Sequence, residues 1–166
     1  MRLFLSVLTL LAGCHRSAPT TTVSSATTGD SSFAGVQSRG QVAMGVDQYT
    51  SQHVFEDLPD GGRVLLVRQD GTDSAGVAII RAHMRDIATR FASGDFAIPG
   101  FVHDREVPGT RVMAAKKASI SYTPIDRPGG GELRIQTADP DAIAAIHEFL
   151  AFQRMDHHAA GHEGHQ

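Results

Sequence analysis

The chain has 166 residues, with 15 Lys and Arg against 18 Asp and Glu and a formal net charge of -3. That near balance, without a basic stripe, excludes a nucleic-acid footprint. A single cysteine excludes a disulfide within one chain, and nine histidines outnumber the eight phenylalanines, making histidine the compositional outlier.

The chain opens on Arg2, followed by a short apolar run from Leu3 to Leu11 and the tetrapeptide Leu11-Ala12-Gly13-Cys14. The run is far short of the roughly 20 apolar residues a membrane span needs. Charged start, apolar middle and small residues before a cut form a signal-peptide pattern. The tetrapeptide resembles the lipobox of bacterial lipoproteins. The resemblance implies removal of residues 1–13 and lipidation of Cys14, and two acyl chains are enough for stable anchoring. His15 stands where the inner-membrane retention signal would be Asp, which implies an outer-membrane anchor facing the periplasm.

Residues 14–43 are rich in Ser, Thr, Gly and Ala, with few sizeable apolar groups. This composition predicts a flexible tether that cannot offset its own ordering entropy. The domain is expected over 44–158. Residues 48–57 alternate, with Tyr49, Ser51, His53 and Phe55 on one face of a strand. Pro59-Asp60-Gly61-Gly62 turns the chain, and 63–69 supplies the second strand of a hairpin. Residues 70–74 break it and offer an N-cap. Val77, Ile80, Met84, Ile87 and Phe91 then form one helical stripe that ends at Gly94.

Residues 93–115 show no clear period, and a loop of that length is more often functional than ornamental. The plan then repeats. Residues 118–124 alternate, 127–131 turn, and Leu133 and Ile135 mark a fourth strand. Asp139 caps a second helix with Pro140 at its first position. Ile143, Ile146, Phe149, Leu150 and Gln153 form its stripe. Glycine pairs at 61–62 and 130–131 occupy matching turns and hint at an internal duplication. The expected fold is α+β, a two-layer sandwich of two β-hairpin–helix units (ββαββα), with both helices on one face of an antiparallel sheet.

Imidazole is the commonest protein ligand for borderline transition metals. His157, His158, His162 and His165 fall within nine residues on a glycine-loosened segment and could wrap a divalent ion without a preformed pocket. Inside the domain lie His53, His83, His103 and His147. Each is equally open to a structural reading, as an imidazole at the core edge bonded to backbone. A thioether suits Cu(I). Met84 lies on the helical stripe and reads as core packing, whereas Met113, in the aperiodic stretch with His103, is the better ligand candidate. No Gly-x-Ser-x-Gly elbow, phosphate-binding loop or His-Glu-x-x-His helix is present, so no enzymatic activity is expected.

The stretches Met44-Gly45-Val46-Asp47-Gln48, His53-Val54-Phe55, Ile80-Arg81-Ala82-His83-Met84, Gly94-Asp95-Phe96, Phe101-Val102-His103, Pro108-Gly109-Thr110 with Met113, and Ala145–Gln153 with Asp156-His157 resemble a small bacterial protein family. The resemblance covers 44–158. Its pattern has two adjacent histidines before the strand phenylalanine; here the first position is Gln52. Such proteins sometimes carry the name aspartate carbamoyltransferase. That activity implies a Ser-Thr-Arg-Thr-Arg loop and two α/β domains, neither of which this chain shows.

The leading expectation is a lipid-anchored envelope protein that binds a transition metal, copper before zinc, for sequestration or delivery. His53, His103 and Met113 would form a domain site, with His147 a further candidate, and the tail histidines His157, His158, His162 and His165 a capture site, the His-rich tail itself covering 159–166. The alternative is an interaction module of the envelope with structural histidines. The third is haem binding through a His/His or His/Met pair.

Overall fold

The computed structural model describes residues 27–45 and 47–161. The leader, Cys14, His162 and His165 lie outside the described residues. Helix α1 covers Thr27–Met44, followed by a short 3-10 turn at Gln48–Thr50. Strands β1 (Ser51–Leu58) and β2 (Gly61–Arg68) form the first hairpin, and helix α2 spans Ser74–Ser93. Two short helices follow, α3 (Ala97–His103) and α4 (Thr110–Ala115). The second hairpin is β3 (Ser121–Arg127) and β4 (Gly130–Gln136), and helix α5 spans Pro140–Asp156. A two-residue strand, β5 (Ala160–Gly161), closes the described chain.

The ββαββα plan and its antiparallel four-stranded sheet are therefore present. The sheet order is β3-β4-β2-β1-β5, with β5 running parallel beside β1. The period-2 alternation puts Phe55, Val64 and Leu133 in one cross-strand row and His53, Leu66 and Gly131 in the next. The two hairpins meet symmetrically, Gly62 opposite Ile135 and Gly131 opposite Leu66. Each helix lies over the hairpin of the other unit: α2 packs on β3 and β4, and α5 on β1 and β2.

The turn glycines are needed for this packing. A Cβ on Gly62 would stand 2.2 Å from Leu150 Cδ1, and one on Gly131 would stand 3.0 Å from Met84 Cγ. Leu66, Ile80, Leu133, Ile135, Ile146 and Leu150 are fully buried beneath the helices. Asp73 and Asp139 cap α2 and α5 through their carboxylates, and Gly94 ends α2 in the left-handed region at φ +83°.

Three stretches differ from the sequence expectation. Residues 27–44, expected within the tether, form α1. Val36 and Met44 are buried, and Arg39 Nε donates to the Val102 carbonyl at 2.8 Å, so tertiary contacts hold a segment of poor helix formers. The aperiodic stretch 93–115 folds into α3 and α4, each too short to show a period. The start of the expected tail pairs with β1 through Ala160 and Gly161. Among the described residues no helix is long and apolar enough to cross a membrane.

A candidate metal site in a histidine cavity

Where α1, β1, α2, α3 and the end of α5 meet, the packing leaves a cavity of about 80 Å³. Four histidines reach it from four elements. His53 comes from the inward face of β1 and His83 from the flank of α2. His103 is the last residue of α3, and His157 the C-cap of α5. Gly40, Ala43 and Met44 of α1 close one side, and Met84, Ile87, Phe91 and Phe149 supply apolar wall.

The rings are in direct contact. His53 stacks on His157 with centroids 4.9 Å apart, and His103 meets His157 edge-on at 5.0 Å. The surroundings of His103 and His157 differ chemically. His103 is held on both sides: its Nδ1–H donates to Asp156 Oδ2 at 2.5 Å, and its Nε2 lies 2.9 Å from Gln153 Oε1. Asp156 also accepts from Arg105 at 2.9 Å, and the Arg105 guanidinium lies over the Phe152 ring. His157 is the reverse case. Its Nδ1 is buried without a hydrogen-bond partner, a costly state for a polar atom that calls for an explanation.

Burial keeps His53, His83 and His157 neutral. It pushes His53 down to about 4, with the neighbouring charge of His83 adding to the effect. It pushes His157 down to about 2, helped by His53 and His103. His83 is lowered for the same reason, against an opposing pull from Asp86. Desolvation disfavours the imidazolium, so these rings stay in the form that can ligate a metal.

Not every residue expected at the site is there. Met113 is fully buried on α4 within the hydrophobic core and does not line the cavity, so the expected His53–His103–Met113 grouping is corrected. His103 is present, but both its nitrogens are engaged. His147 donates from Nε2 to the Leu58 carbonyl at 2.9 Å, the structural role open to it from the start. His158, at φ +49°, stacks on Phe33 of α1 with centroids 4.2 Å apart. His83, open to a structural reading in the sequence, and Met84, read there as core packing, do line the cavity. The signal for His83 was its place at the edge of an apolar stripe, where a polar group can still point inward.

Among the described residues no three His, Cys, Asp or Glu side chains stand in a ready-made coordinating group. A cavity of about 80 Å³ holds a few waters or an ion; a porphyrin would have to force the walls apart. No known protein family, no curated protein and no solved structure matches the chain.

Proposed function

We propose that this chain is a lipid-anchored protein of the bacterial envelope whose histidine cavity binds a transition-metal ion, copper before zinc, for sequestration or delivery. The observation that carries the reading is the buried, unpartnered Nδ1 of His157 in ring contact with His53. A ring nitrogen kept away from both water and protein partners is one a metal can use. Neutral imidazoles beside the thioethers of Met44 and Met84 form a donor set suited to copper. His162 and His165, outside the described residues, would add a capture site.

Protein purified without an affinity tag and stripped with chelator is expected to take up metal and to melt higher. Saturation at 100 times Kd stabilises the folded state by about 2.7 kcal/mol if the unfolded chain does not bind. Absence of metal by elemental analysis, together with no thermal shift from copper or zinc, would refute the reading.

The anchor has its own test. Cys14→Ser is expected to move the protein from membranes to the soluble fraction. Persistence of the variant in membranes after a high-salt wash would count against lipidation.

A second reading, a partner-binding module with structural histidines, is favoured by the exposed apolar side chains Val42 (73 %) and Met155 (67 %). The readings diverge at His157. For a structural histidine, the buried nitrogen is only a cost, so His157→Phe would stabilise the protein and affect no ligand. For a metal site, the same change removes a ligand.

A further inference from the structure

Among the described residues, the wall of the histidine cavity contains no carboxylate. Apart from four imidazoles and Gln153, the described lining is aliphatic and aromatic, with the thioethers of Met44 and Met84 as the remaining side-chain heteroatoms. Asp156 and Asp86 stand outside that lining. Asp156 is held by His103 and Arg105, and Asp86 is exposed and paired with Arg90 at 2.9 Å. An ion entering this space keeps its charge uncompensated in apolar surroundings. The continuum cost of burying an ion grows with the square of its charge, so a divalent ion faces about four times the penalty of a monovalent one.

Ligand number points the same way. Zinc is almost always held in a closed tetrahedral set or in three ligands plus water, and no group of three acidic, thiol or imidazole side chains stands ready among the described residues. His103 would have to give up its Nε2 contact with Gln153 to contribute. Monovalent copper is a soft ion that is stable with few ligands, and imidazole and thioether both suit it. The His53–His157 pair, with one unpartnered nitrogen already in the apolar interior, is what the cavity offers.

Resting on the reading of the cavity as the metal site, we propose that the ion it takes is monovalent copper, held by the imidazoles of His53 and His157 with the cavity thioethers as the additional soft donors. Divalent ions are left to the tail histidines.

The test uses the mature full-length chain carrying His162→Gln and His165→Gln, so that tail binding does not mask the cavity. Cu(I) affinity is measured anaerobically by competition with bicinchoninate, and Cu(II) and Zn(II) affinities by calorimetry. One equivalent of Cu(I) is expected. His157→Phe or His53→Phe should weaken it more than about 100-fold, beyond the loss of an outer-shell partner, while leaving the divalent affinities unchanged. X-ray absorption on the unmutated cavity gives a readout independent of variant folding, and should show a low-coordinate Cu(I) site with nitrogen ligands and a sulfur scatterer. Zn(II) or Cu(II) binding as tight as Cu(I), and lost with His157→Phe, would overturn the monovalent proposal and keep the cavity as a metal site. Cu(I) binding unaffected by either histidine change would overturn the ligand assignment. No ion binding at all would overturn both this inference and the reading beneath it.

Discussion

Gly109→Ala is expected to destabilise the protein by on the order of 3–4 kcal/mol, combining left-handed strain with overpacking. Gly109 opens α4 at φ +80°, a region costly for a residue with a side chain. Its missing Cβ also leaves room for α5: a carbon there would stand 2.1 Å from the Ala145 carbonyl oxygen and 3.2 Å from the Phe149 nitrogen. These are backbone atoms of a packed helix, which cannot move aside as a side-chain tip can. Gly100→Ala is the matched control. Gly100 lies inside α3, and its nearest neighbour would be the Arg105 carbonyl oxygen at 3.7 Å. That substitution should be neutral or stabilise by up to about 1 kcal/mol through helix propensity. Urea midpoints of the two variants decide the matter, and equal midpoints would mean that α4 does not dock on α5 as described.

Acidification should produce the second large effect. In metal-free protein, His53 and His157 are held neutral with pKa values pushed down to about 4 and about 2, while the unfolded chain titrates near 6.5. Below pH 6.5 the unfolded state binds protons that the folded state refuses, so stability falls as pH falls. The loss approaches about 1.4 kcal/mol per pH unit for each histidine. For His53 it is complete near pH 4, a total on the order of 3 kcal/mol. For His157 it continues to lower pH.

Carboxylates enter later. Asp95, lowered chiefly by the Ala97 amide, and Asp139, lowered chiefly by Lys116, lose their contributions only as pH falls through and below the ordinary carboxylate value of 3.8. Denaturant midpoints should therefore fall steadily between pH 6.5 and 4.5, and His53→Phe with His157→Phe should flatten that slope. A profile already flat in the unsubstituted protein would show that the cluster is open to water.

The sheet and the two long helices were legible because their signals are local. Alternation marks Phe55, Val64, Leu133 and Ile135; three- and four-residue steps mark Ile80, Met84, Ile87, Ile146 and Leu150; Asp139-Pro140 marks a helix start. The paired glycines at 61–62 and 130–131 open β2 and β4 in matching positions. The short helices α3 and α4 were hidden because six or seven residues give fewer than two turns of pattern.

Composition concealed α1. A segment of Ser, Thr and Gly has no intrinsic helical support, and the spacing of Phe33, Val36, Gly40 and Met44 gains meaning only against α3 and the cavity. The site was half legible for a related reason. Histidine content drew attention to His53, His103 and His157, but which of them keeps a usable nitrogen depends on partners fifty or more residues away, Gln153 and Asp156 for His103. No spacing rule carries that information, and proximity in sequence misdirected attention to Met113.

One wall of the cavity comes from the least self-sufficient helix in the molecule. Gly40, Ala43 and Met44 belong to α1, the first described element, and α1 is held by docking rather than by its own propensity. Local opening free energies range from near zero up to the global value, and elements with little intrinsic support lie at the low end. Amide hydrogen exchange in α1 should therefore outpace exchange in β2, β4 and α5 by orders of magnitude. The interior can then be reached by unlatching a single helix while the sheet stays folded. In the proposed lipid-anchored form that latch would lie between anchor and domain, and tension along the chain would couple to occupancy of the histidines.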